Sequence, residues 1–284
     1  MLTELLTQVF VVVTIALLVS IAVFVGRERL LETKAAWRSR LRVSAPTIVT
    51  LLAVLVLNRI MRQQGEDISG KIGLHMTETF YRLEGEFVLI FQSIATDELT
   101  AYFSAIYVYG YTFMLVFPVI AYFALSDTRI FRRLLTAYSL NYVIGLVLYL
   151  LVIAYGPRNM MPEEVTVTML YDNSPEYRHL TREVNSYDNV FPSLHTSLAA
   201  TVAMFAYQTR SSYPKWFPVA IVLAVSVAIS TMYLGIHWGI DVAAGLVLAV
   251  TCVALSTHLV DRWSLAELLE HAERRLDERG RDTE

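Results

Sequence analysis

The sequence predicts an all-α, polytopic transmembrane helix bundle, and three observations carry that prediction. Charged residues make up only 17% of the 284 and hydrophobic residues 55%, whereas about a quarter of a typical soluble domain is charged. The charges are clustered, leaving seven apolar segments close to the roughly 20 residues a helix needs to cross a bilayer core. The basic clusters also fall in alternate connections, as expected of cytoplasmic loops. Mean hydropathy is +0.49. The net charge of -3 gives no basis for nucleic-acid binding. Cys252, the single cysteine, lies in an apolar run and cannot form an intrachain disulfide.

In chain order the expected spans are 4–25, 44–60, 101–125, 135–155, 192–209, 216–236 and 239–260. The first has no basic leader, only Glu4, and no small-residue cleavage site follows, so it reads as a span and not a signal peptide. Basic residues gather in 26–43, 126–134 and 210–215 and after the last span. With seven spans all four stretches share one side. The N-terminus is then expected outside and the C-terminus in the cytoplasm. Segments 61–100 and 156–191 occupy the other side and lean acidic. Within 61–100, Phe80, Tyr81, Leu83, Phe87, Ile90 and Phe91 recur near helical spacing. That pattern fits an amphipathic helix lying in the outer interface or packed on the bundle as a lid. Three parts follow: an N-terminal transmembrane helix with a basic cytoplasmic linker (1–43), a six-span membrane domain (44–260), and a cytoplasmic tail (261–284).

Ionisable residues at or within membrane helices are costly and point to function. Arg158 follows the fourth span, His195 opens the fifth, His237 lies in the turn before the seventh, and Asp241 begins it. All four map to the outer boundary under a topology derived from the basic loops alone. His237 and Asp241 are spaced i, i+4 and share one face if the helix starts near His237. A carboxylate bonded to one imidazole nitrogen fixes the tautomer and leaves the other nitrogen free to attack. His195 suits proton donation to a leaving oxygen. Ser193, after Pro192 at a helix start, and the forked Arg158 suit phosphate oxygens. The set fits phosphoryl transfer. Two histidines and a carboxylate could also bind iron or zinc. The adjacent Arg158 and the lack of a further acidic cluster argue against this, so no metal and no cofactor are expected. His75, His179, His258 and His271 read as structural.

Pro192-Ser193-Leu194-His195 resembles the PSGH signature, and Ser230 through Asp241 the SRxxxxxHxxxD signature, of the type 2 phosphatidic acid phosphatase superfamily. Pro157-Arg158 sits where the KxxxxxxRP signature should lie. The resemblance spans roughly 44–260 and leaves the first helix as an extra. It implies a six-helix phosphatase-like core in which His237 forms a phosphohistidine, Asp241 orients it and His195 protonates the leaving group. Ser193, Arg158 and Asn159 would then hold the phosphoryl oxygens. Leu151 stands in place of the first signature's lysine, Asn159 follows the arginine where proline is usual, and Thr231 replaces the arginine of the third. Arg182, in the 156–191 loop, is the expected substitute cation. Leu194 in place of glycine is similar to the branch of inositol phosphorylceramide and sphingomyelin synthases, which move a headgroup from a phospholipid to a lipid alcohol. The implied partner is a membrane lipid, either a phospholipid or an isoprenyl phosphate, with hydrolysis and transfer both open. A non-catalytic lipid-binding protein and a transporter are the alternatives from other classes. Spans one to four carry few ionisable groups at mid-depth, which counts against a transport path.

Overall fold

A computed structural model describes residues 2–161, 165 and 189–262. The tail beyond 262 and most of the 156–191 loop, Arg182 included, lie outside the described residues. The chain is an all-α bundle. Six of its described helices are long and apolar enough to cross a membrane.

Helix α1 (Leu2–Ser20) runs into a π-helical turn at Ile21–Val25 and ends at Gly26. Helix α2 (Arg27–Gln63) follows at once. The basic 26–43 stretch is therefore no separate connector but the first half of one helix that continues into the expected second span. At 1.5 Å per residue α2 is about 55 Å long, well beyond a bilayer core of about 30 Å. Its basic half is tied to the bundle end. Arg29 Nη1 donates to the Ser212 carbonyl (2.8 Å) and Arg40 Nη1 to the Phe123 carbonyl (3.0 Å).

Segment 61–100 folds as short pieces and not as one helix. These are α3 (Gly65–Ile72), a two-residue strand β1 (Leu74–His75), α4 (Thr77–Glu84) and α5 (Leu89–Ser93). The third span starts earlier than expected, because Thr96 Oγ1 caps α6 (Asp97–Ala105) by accepting from Leu99 N (3.2 Å). A π-helical turn, Ile106–Gly110, joins α6 to α7 (Tyr111–Phe123). Helix α8 (Arg129–Leu151) leads into β2 (Val152–Ile153), which pairs in parallel with β1, and then α9 (Pro157–Met160).

The expected fifth span is α10 (Leu194–Gln208). At 15 residues it is shorter than the six helices long enough to cross a membrane and is almost wholly enclosed. It touches α7, α8, α11 (Trp216–Tyr233) and α12 (Gly239–Arg262). Leu198, Val202 and Phe205 of α10 join Phe117, Leu134 and Trp216 in the main core. Asn141 of α8 adds a polar tie, donating to Thr201 Oγ1 (3.2 Å) and accepting from Ser197 Oγ. Such bonds hold helices together where lipid supplies no hydrophobic drive. Large apolar side chains such as Phe10, Val49, Val222 and Val247 face outward, as a lipid-facing belt requires.

Candidate active site

Three helix ends meet at one end of the bundle: the C-terminal ends of α2 and α8 and the N-terminal end of α10, with the turn before α12 between them. The basic tethers lie at the opposite end. A cavity of about 290 Å³ opens among these ends. His195, His237, Arg158 and Asn159 line it, with Tyr111, Tyr142, Tyr149, Leu194 and Arg62.

The turn before α12 sets the histidine and the carboxylate together. Gly235 takes φ +64°, a conformation that strains any residue with a Cβ. The amides of Ile236 and His237 then both donate to the Thr231 carbonyl (3.0 and 3.1 Å). Asp241, third residue of α12, reaches back so that its Oδ2 accepts from Trp238 N at 2.8 Å, the capping-box geometry. The same Oδ2 lies 3.4 Å from His237 Nδ1. That contact is an ion-pair distance without a formed hydrogen bond, since His237 Nδ1 and Asp241 Oδ1 both lack hydrogen-bond partners. Asp241 is fully buried and His237 nearly so. The turn is locked from the other side by a close approach. A Cβ on Gly156 would sit 2.3 Å from the Ile236 carbonyl oxygen, and Arg158 N donates to the Gly235 carbonyl (3.2 Å).

His195 is the second residue of α10, with its ring against two tyrosines. Tyr107 stacks on it (centroids 4.5 Å, 22°) and Tyr111 tilts against it (4.3 Å). The π-helical turn carries Tyr107 and ends next to Tyr111. Residues four apart share a helix face, so both rings reach the same imidazole. The His195 and His237 rings are 6.4 Å apart, with the cavity beside both.

The sequence-predicted residues are therefore partly reunited. His237, Asp241, His195, Arg158 and Asn159 converge. Ser193 does not line the cavity. It is fully buried and caps α10, its Oγ accepting from Thr196 N (3.3 Å) and donating to Thr196 Oγ1 (3.0 Å). Its amide donates to the Asp241 carbonyl (3.2 Å), so it fixes α10 to α12. Arg182 lies outside the described residues. Among those described, no three His, Cys, Asp or Glu side chains are grouped to hold a metal ion.

Glu84 and Asn189, besides Arg62, shape the site and were missed in the sequence. Glu84, at the end of α4, accepts from Gly239 N (2.7 Å) and Ile240 N (2.9 Å), the first two amides of α12. Burial raises its carboxyl above the usual carboxylate range against the pull of those two bonds, and the charge of Asp241 adds to the rise. Asn189 staples the chain entering α10 to the end of α8. Its Oδ1 accepts from Ala154 N and Phe191 N (both 3.1 Å), and its Nδ2 donates to the Tyr149 carbonyl (2.6 Å) and the Val152 carbonyl. The signal for Glu84 was its place at the end of an apolar stripe beside Gly85, but its partner is 155 residues away in sequence. The lid role weighed for segment 61–100 fits these contacts, with Phe80 against Phe191 (5.4 Å) and Tyr81 against Trp238 (6.2 Å).

The fold and site together define an integral-membrane helical bundle with a buried histidine–carboxylate pair at a cavity lined by arginine. A family model described as the PAP2 superfamily matches residues 77–255, more than half of the chain, and the chain belongs to that superfamily. Its members are generally phosphatases or phosphotransferases. No curated protein and no solved structure matches the chain at a significant level.

Proposed function

We propose that the chain is a lipid phosphatase or phosphotransferase that works through a phosphohistidine at His237. The observation carrying this reading is the His237–Asp241 contact of 3.4 Å at the wall of a cavity that His195 and Arg158 also line. With Nδ1 turned toward the carboxylate, the proton resides there and Nε2 presents its lone pair to phosphorus. Nε2 forms the N–P bond as the P–O bond to the lipid alcohol breaks. His195 gives its proton to the departing oxygen. In the second half His195 takes a proton from the incoming water or alcohol, whose oxygen displaces His237 from phosphorus. Arg158 and Asn159 hold the non-bridging oxygens, where positioning and charge stabilisation do most of the work.

The substrate is a phospholipid or an isoprenyl phosphate. The basic connections lie at the bundle end away from the cavity, and the positive-inside rule supports a site at the outer face with the N-terminus outside. One observation favours headgroup transfer to a lipid alcohol as the second reading. Leu194, with Val190, Phe191 and Ile236, makes part of the cavity wall apolar, which admits an alkyl-bearing acceptor beside water. Incubating the purified protein with radiolabelled phosphatidic acid, isoprenyl diphosphate or a headgroup-bearing phospholipid, then separating products by thin-layer chromatography, distinguishes the two. Free phosphate as product supports hydrolysis, and a labelled new lipid supports transfer. No product from any of the three with wild-type protein would remove the enzymatic reading in favour of a lipid-binding one.

A further inference from the structure

The two cations absent from the family-like signatures are not restored at their own positions. Leu151 points largely outward, at 42% exposure, and does not line the cavity. Thr231 is buried and bonds its hydroxyl back to the Ala228 carbonyl (2.8 Å). A different arginine enters the cavity. Arg62, in the last turn of α2, lines it together with Asn58 one turn earlier. Its guanidinium lies over the Tyr149 ring, 5.0 Å from the centroid. Its Nε is buried and has no hydrogen-bond partner. A buried, unsatisfied donor on a permanent cation is expensive to leave alone, and an anion in the cavity would satisfy it. Among the described residues lining this cavity there is no aspartate or glutamate to do so.

We infer that Arg62 is a phosphate-binding residue, the second cation of the site beside Arg158, and that it is supplied from outside the region matched by the family model, which starts at residue 77. The C-terminal end of helix α2 is then part of the substrate site. The guanidinium, placed over the Tyr149 ring, presents its fork to the phosphoryl oxygens, a geometry lysine does not offer. The inference rests on the phosphoryl-transfer reading above and adds a specific ligand to it.

The test uses the full chain purified in detergent and orthovanadate, a phosphate mimic, with affinity read from the vanadate-dependent rise in melting temperature. Arg62→Gln should weaken vanadate binding by about 10- to 100-fold, the loss expected for a charge-assisted hydrogen bond. Arg59→Gln, which removes an exposed arginine of the same helix end that does not line the cavity, should leave the affinity unchanged. If Arg62→Gln fails to fold, Arg62→Met keeps the packed stem and carries the same expectation. Wild-type binding matched within twofold by the Arg62 variants, or an equal loss in Arg59→Gln, overturns the role of Arg62 alone. Absence of vanadate binding by the wild-type protein overturns the phosphoryl reading and the inference with it.

Discussion

Asp241 Oδ2 lies 3.4 Å from His237 Nδ1 while accepting the Trp238 amide at 2.8 Å, so one oxygen both starts helix α12 and faces the candidate nucleophile. The helix start and the orientation of the imidazole are thereby one structural event. Anything that loosens the first turn of α12 should therefore show in catalysis before it shows in overall stability.

Glu84 is the first place to see that coupling. Glu84→Gln keeps one acceptor for the Gly239 and Ile240 amides and leaves the other unpaired, a loss of about 1–3 kcal/mol. Turnover should fall by about tenfold, with little change in KM. The carboxyl's folded pKa is raised, so its contribution to stability is greatest below the ordinary carboxylate range near pH 4 and is lost as pH rises through the raised value. Melting curves from about pH 4 to pH 7 should therefore show wild-type stability declining relative to Glu84→Gln. A constant difference across that window would contradict the assignment.

Asn189 makes four bonds of two kinds, accepting from two amides and donating to two carbonyls. Asn189→Asp keeps the acceptors but sets a charged oxygen against those carbonyls. It should cost about 2–4 kcal/mol, the range for a broken buried polar network, and lower activity at least tenfold. Melting temperature and turnover of Asn189→Asp, measured together, check this. A variant as stable and active as wild type would show that the staple does not hold the entry to α10.

Tyr107 stacks on His195. Tyr107→Leu removes an aromatic contact of about 0.5–1.5 kcal/mol and frees the imidazole to leave its position. The expected result is a three- to tenfold lower kcat with KM within twofold. A change confined to KM would indicate instead that Tyr107 contacts substrate.

Arg133 and Asp261 form an ion pair (2.5 Å) at the end of the bundle opposite the cavity. The pair is partly exposed, so Arg133→Ala should cost less than about 1 kcal/mol and leave specific activity within twofold. A large loss of activity would mean that the two ends of the bundle are coupled.

Much of this architecture was legible in the sequence because apolar length and basic clustering report directly on the bilayer. The His237–Asp241 pair was legible from its four-residue spacing, but α12 starts at Gly239, so the turn before the helix and not a shared helix face brings the two together. Boundaries were less so. Thr96, Asp97 and Glu98 begin α6, yet as polar residues they read as loop until Thr96 is seen capping the helix. The basic half of α2 read as a linker because charge, not helical continuity, marks the edge of the apolar run. Glu84, Asn189 and Arg62 were missed for one reason: their partners are far away in sequence, and each occurs singly among ordinary polar neighbours. Ser193 was read as a phosphate ligand, but its hydroxyl is taken by the helix it caps.

The most direct test of the central claim is to trap the covalent intermediate. Wild-type protein mixed with a lipid carrying radiolabelled phosphate and quenched within a turnover should hold label that is acid-labile and alkali-stable, the behaviour of a phosphohistidine. The label should map to the peptide containing His237, vanish in His237→Ala and fall sharply in Asp241→Asn. Turnover by wild-type protein with no such label, or label persisting in His237→Ala, would contradict the account.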